Sequence, residues 1–105
     1  MKLDRNLNPG GKDKYALNNL RKIVGDPRTA QEMAAAIVAN PDALQLGVVG
    51  EPDEFWLIKL KDKYATAALQ AYADAAQADD PEYANQVREM VQRSGQNSPF
   101  CQTPD

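Results

Sequence analysis

Apolar residues recur at helical spacing through four stretches of the chain and at alternating, strand-like spacing through two. From Lys14 to Val24 the helical positions are Ala16, Leu17, Leu20, Ile23 and Val24. Arg21 and Lys22 suit a helix C-terminus, Gly25 suits the position after it, and Pro27 cannot continue it. The pattern predicts a helix; a strand is the alternative, which Asn18 and Asn19 weaken. Ahead of it, residues 1–13 hold the breaker cluster Asn8, Pro9, Gly10 and Gly11 and read as an irregular arm. Thr29 precedes Glu32 by three residues, a capping-box spacing that opens a predicted helix from Ala30 to Ala39. Met33 and Ile37 share one stripe of that helix, and Asn40 with Pro41 stops it.

The stretches from Leu44 to Val49 and from Phe55 to Leu60 read as two short strands. Gly50, Glu51, Pro52 and Asp53 supply the turn between them. In the second strand Trp56, Ile58 and Leu60 would face the core, leaving Phe55 and Leu57 on the other face with Lys59 and Lys61. One long helix from Glu54 to Ala78 is the competing reading. Asp62 suits the cap of a helix over residues 63–78, whose stripe is Ala65, Ala68, Leu69, Tyr72 and Ala76. Asp80 and Pro81 are N-cap and first-turn residues of a last helix with the stripe Tyr83, Val87, Met90 and Val91, ended by Gly95. Residues 96–105 read as an extended tail whose Phe100 packs back on the body. A two-stranded hairpin is unstable alone, and the alanine stripe over residues 63–78 is its natural cover. The expected fold is therefore one α+β domain, helix-dominated, with a short antiparallel β-hairpin packed on helices.

Composition narrows the chemistry. The 105 residues suit a single domain with one modest core, and a hydrophobic share of 43% argues against full disorder. There is no histidine, which removes the commonest general base near neutral pH and the commonest metal ligand. The single cysteine, Cys101, cannot form an internal disulfide, so a reducing compartment is expected. Met1–Asn8 is polar and charged, unlike a secretory leader, and no apolar run approaches the length of a membrane span. Net charge is −3, which does not suggest a general nucleic-acid binder. Residues 1–25, however, carry six Lys/Arg against two Asp, and residues 26–58 carry one Arg against six acids. The basic segment is thus placed to meet an acidic partner or to fold on the acidic middle.

Several motif-like arrangements fail on inspection. Asp4, Asn6 and Asn8 begin like a calcium loop, but Pro9 and Tyr15 occupy the places of the required glycine and bidentate glutamate. Pro9–Lys12 resembles a phosphate cradle only superficially, since Asp13 stands where a Ser/Thr is needed. Asp79, Asp80 and Glu82 suit a helix N-terminus better than a metal, and Asp53 and Glu54 suit a turn and strand start. Ser94 and Ser98 have no histidine base, and no carboxylate pair stands out by spacing. The expectation is no catalytic residue, no metal and no cofactor. Trp56 reads as a core residue of the hairpin, with an interface anchor as the alternative. Lys12, Lys14, Tyr15, Arg21 and Lys22 mix basic and aromatic character but form no tight row for a nucleic-acid backbone.

The opening MKLDRN, the segment GGKDKYAL, the core EFWLIKLKDKYATAALQAYADAA and the ending SPFCQTPD resemble small accessory proteins of tailed bacteriophages and prophages. That resemblance implies a setting, the cytoplasm of a bacterial host, where small acidic proteins act by binding host machinery; it carries over no functional residue. The leading expectation is a non-enzymatic protein that binds and modulates a host or phage protein, without membrane contact. Its partner-binding candidates are Phe55, Leu57, Lys59 and Lys61, with Arg21 and Lys22 from the basic segment. One alternative is a nucleic-acid-associated accessory protein using that basic segment. Another is a homodimer or larger homo-oligomer in which the hairpin edge pairs with its twin.

Overall fold

The breakers and caps along the chain cut it into short elements. A computed structural model describes residues 15–104, which fall into two compact units, 15–57 and 58–104. The predicted arm, the calcium-like and phosphate-like motifs of residues 4–13, and Lys12 and Lys14 lie outside the described residues. Among the described residues there are three α-helices and one two-stranded antiparallel sheet, an α+β, helix-dominated class.

In the first unit, strand β1 (Leu17–Asn18) pairs antiparallel with strand β2 (Leu44–Gln45), Leu17 opposite Gln45 and Asn18 opposite Leu44. The helix predicted from Lys14 to Val24 is absent. Asn19 Oδ1 accepts the Arg21 N–H at 3.1 Å and caps a single 3-10 turn, Leu20–Lys22, after a strand. Asparagine side chains that bond their own backbone offer an alternative to helix propagation, and here that alternative wins. The 3-10 turn packs on a second one, Pro41–Ala43, and Asn19 N–H reaches Ala43 O at 2.8 Å.

Helix α1 (Ala30–Ala39) starts as its capping box predicts, with Glu32 N–H on Thr29 Oγ1 at 3.1 Å and Thr29 Oγ1 on Glu32 Oε1 at 3.0 Å. Asn40 closes it through its backbone N–H and its side-chain amide, which both reach Ala36 O at 2.9 Å.

The predicted hairpin is the main correction. Its turn exists: Glu51 N–H bonds Val48 O at 3.0 Å, and Gly50, at φ +85°, donates to Glu54 Oε1 at 2.8 Å. Its strands do not pair. Gly47 takes φ +61°, which ends the first strand after Gln45, and residues 54–59 belong to no strand. β2 therefore pairs with β1, and α1 lies between the two strands in sequence. The competing helix from Glu54 to Ala78 is absent too.

The second unit is a helical hairpin. Helix α2 (Ala65–Ala76) begins after Asp62 Oδ1 accepts Tyr64 N–H at 2.8 Å; Tyr64 itself supplies no side-chain cap. After a turn over residues 77–80, helix α3 (Pro81–Val91) opens on Asp80, whose Oδ1 accepts Tyr83 N–H at 3.0 Å. The helices run antiparallel, as the contacts Thr66–Ser94 and Tyr72–Tyr83 require. The core of this unit is made of small residues: Ala65, Ala73, Ala84 and Val87 are buried, whereas of the expected stripe only Ala65 is buried, Leu69 and Ala76 are half-buried, and Ala68 and Tyr72 are exposed. Small side chains let the helix axes approach closely.

The chain then folds back. Gly95, at φ +53°, donates to Leu60 O at 2.8 Å, and a Cβ there would collide with Thr66 Oγ1. Buried Ser94 bonds Thr66 Oγ1 and Val91 O, each at 2.8 Å. The tail is not simply extended. It makes a 3-10 turn (Gly95–Asn97), then a parallel bridge in which Gln102 N–H reaches Lys61 O at 2.9 Å and Lys63 N–H reaches Gln102 O at 3.0 Å. Phe100 does not pack back; it is 73% exposed, because the tail is held by backbone bonds on either side of it.

Candidate interaction surfaces

The first unit buries little of its apolar content. Ile23 and Ala43 are its buried apolar side chains, and no residue of α1 is buried. Val24 is 88% exposed, Val38 83%, Leu20 60% and Trp56 59%, and Leu44, Leu46, Val48 and Val49 are exposed as well. Within residues 20–24 only Ile23 points inward, so Leu20 and Val24 flank Arg21 and Lys22 on the outside. The 3-10 turn that carries Arg21 and Lys22 is fixed by its Asn19 cap and by its packing on Pro41–Ala43. The surface offers one aliphatic anchor, Leu20, and two cations on a braced turn, with a second aliphatic anchor, Val24, two residues beyond it. Close by in sequence, Asp26 and Arg28 pair at 3.0 Å, both well exposed.

The predicted site residues are not brought together as one strand face. Phe55 and Leu57 belong to the first unit, where both are half-buried; Lys59 (exposed) and Lys61 (half-buried) belong to the second. The alternation expected over residues 55–60 is real in its first three positions but inverted: Trp56 faces out and Phe55 and Leu57 face in. Trp56 is therefore not a core residue. Without a paired strand, no sheet face exists to set the parity, and the side chains orient to local packing instead. Leu20 and Val24 lie on the surface because the helix whose apolar stripe they would share does not form, and Val38 lies off the Met33 and Ile37 stripe of α1.

In the second unit an apolar groove of about 190 Å³ is lined by Ile58, Leu60, Ala65, Ala68, Leu69 and Tyr72. Beside it Tyr72 and Tyr83 share a hydroxyl–hydroxyl bond of 2.8 Å, their rings edge-to-face at 6.1 Å. That bond raises the Tyr83 pKa above the ordinary phenolic value, with smaller contributions from desolvation and from the charges of Tyr72 and Asp80. At the turn end Arg88 reaches both Gln77 and Asp74, the latter at 3.2 Å. Cys101 is an exposed free thiol.

Among the described residues no cluster of three or more Cys, Asp or Glu could hold a metal ion, and no helix is long and apolar enough to cross a membrane. Comparison of the chain with protein-family models, with curated proteins and with solved structures finds no match.

Proposed function

We propose that this chain is a non-enzymatic protein-binding module whose first unit docks a partner protein in a bacterial host cell. One observation carries the reading: residues 15–57 leave Leu20, Val24, Val38 and Trp56 exposed while burying only two apolar side chains. Exposed apolar surface of this kind marks interaction sites in soluble proteins, and an exposed tryptophan is a frequent interface anchor. The partner segment that suits residues 20–24 is acidic with apolar flanks, matching Arg21 and Lys22 as cations between the anchors Leu20 and Val24. The phage-like phrasing of the sequence supports a host protein as the target.

The test is affinity capture from host lysate with the intact protein and with two variants, Leu20→Asp/Val24→Asp and Arg21→Glu/Lys22→Glu. One stoichiometric protein should be recovered by the parent and lost with either variant, while circular dichroism shows the helices unchanged. Recovery of no stoichiometric protein, or equal recovery by the variants, overturns the reading. So does steeply salt-dependent capture of nucleic acid that the charge reversal abolishes.

A further inference from the structure

The second unit is polar in charge along its length. Its open end, where Gly95 is tied to Leu60, carries Lys61 and Lys63 ahead of α2 and Arg93 after α3, with Asp62 the acid among them. Its turn end carries Asp74, Asp79, Asp80 and Glu82, with Arg88 reaching back to Asp74. Asp80 and Glu82 suit the start of α3, and Arg93 suits its end. Within α2 itself the first turn holds no acid and the last turn holds Asp74 and no base, and ahead of it Asp62, which accepts the Tyr64 N–H, stands between Lys61 and Lys63.

Between these ends α2 presents small and apolar side chains to the outside. Ala68, Ala71 and Ala75 are exposed, three and four residues apart, and Ala68 also lines the groove with Ile58, Leu60, Leu69 and Tyr72. Alanines so spaced admit another helix at close approach. A helix laid there antiparallel should be acidic where it meets Lys61 and Lys63, and basic where it meets the turn. The same surface, rotated by a two-fold axis, has that order.

We infer that a second copy of this chain docks along α2, the two helices antiparallel about an axis near Ala71 and Tyr72, each copy's Lys61 and Lys63 facing the other's acidic turn. This is an isologous contact, so each favourable end-to-end pairing is made twice. It uses a face other than the strand edge expected from sequence, and it is independent of the docking surface proposed for the first unit.

The experiment is sedimentation equilibrium of the full chain carrying Cys101→Ser, which removes disulfide linkage as a route to dimers. A monomer–dimer equilibrium is expected. Ala71→Glu, at an exposed helical position, should abolish it with helicity intact. Lys61→Glu/Lys63→Glu and Asp79→Lys/Glu82→Lys should each weaken it by about tenfold or more, and an equimolar mixture of the two should restore it as a heterodimer. Ala71→Cys in the same background should form a disulfide-linked dimer on mild oxidation. A monomer at the highest attainable concentration overturns the inference. So does a dimer indifferent to Ala71→Glu, or a mixture of folded charge-reversed chains that does not reassociate.

Discussion

Residues 15–57 and 58–104 use the same local devices and reach different degrees of burial. Each has a helix opened by a side-chain cap, Thr29 for α1 and Asp80 for α3. Yet α1 buries no residue, whereas α2 and α3 between them bury Ala65, Ala73, Ala84 and Val87. The exposed large apolar side chains differ in kind too. In 15–57 they are aliphatic apart from Trp56; in 58–104 they are Tyr64, Tyr72, Tyr83 and Phe100. A tyrosine keeps a polar handle in water, and Tyr72 and Tyr83 satisfy theirs on each other. An exposed valine has no such recourse. Caps decide where a helix starts, and only a complementary face decides whether it is held; the second unit supplies that face within itself.

The sharpest way to break the contrast is at Gly95. Gly95→Ala puts a Cβ into Thr66 Oγ1 at a left-handed backbone position, and should cost the second unit about 2–4 kcal/mol. Chemical denaturation followed by far-ultraviolet circular dichroism checks this. Loss confined to residues 15–57 in hydrogen exchange would contradict it.

Equal cap deletions should then give unequal readouts. Asp80→Ala and Thr29→Ala each remove about 1 kcal/mol of local helix stability. Hydrogen exchange should show protection falling across α2 and α3 together for Asp80→Ala, and only within α1 for Thr29→Ala. Equal spread in both units would mean that they are equally cooperative.

The smallest effect concerns the tyrosine pair. A phenol whose folded pKa is raised contributes stability that is fully present below its unfolded value of about 10 and is lost as pH rises through the higher folded value. Phenolate absorbance should therefore show Tyr83 titrating above an ordinary tyrosine, and Tyr72→Phe should bring it back down. An unchanged Tyr83 titration in Tyr72→Phe would remove the hydrogen bond as the cause.

Where a signal is carried by residues close in sequence, it was legible. Thr29 with Glu32, Asp80 with Pro81, the stop at Asn40 and Pro41, and the turn at residues 50–53 all stand where the residue types place them, because each is closed by hydrogen bonds spanning four residues or fewer. Arg21 and Lys22 are exposed, but the helix whose end they were expected to mark is replaced by a 3-10 turn. Partners distant in sequence were not legible. The strand at Leu44–Gln45 selected Leu17–Asn18 over the nearer residues 55–60, and α2 buried Ala73, outside the expected stripe, while Ala68 within it stayed exposed. Trp56 faced outward against the expected parity. Local sequence determined the ends of the helices and turns through short-range bonding. Which faces met, and so which apolar side chains stayed in water, was decided by tertiary packing, because burial depends on the shape of a surface far along the chain.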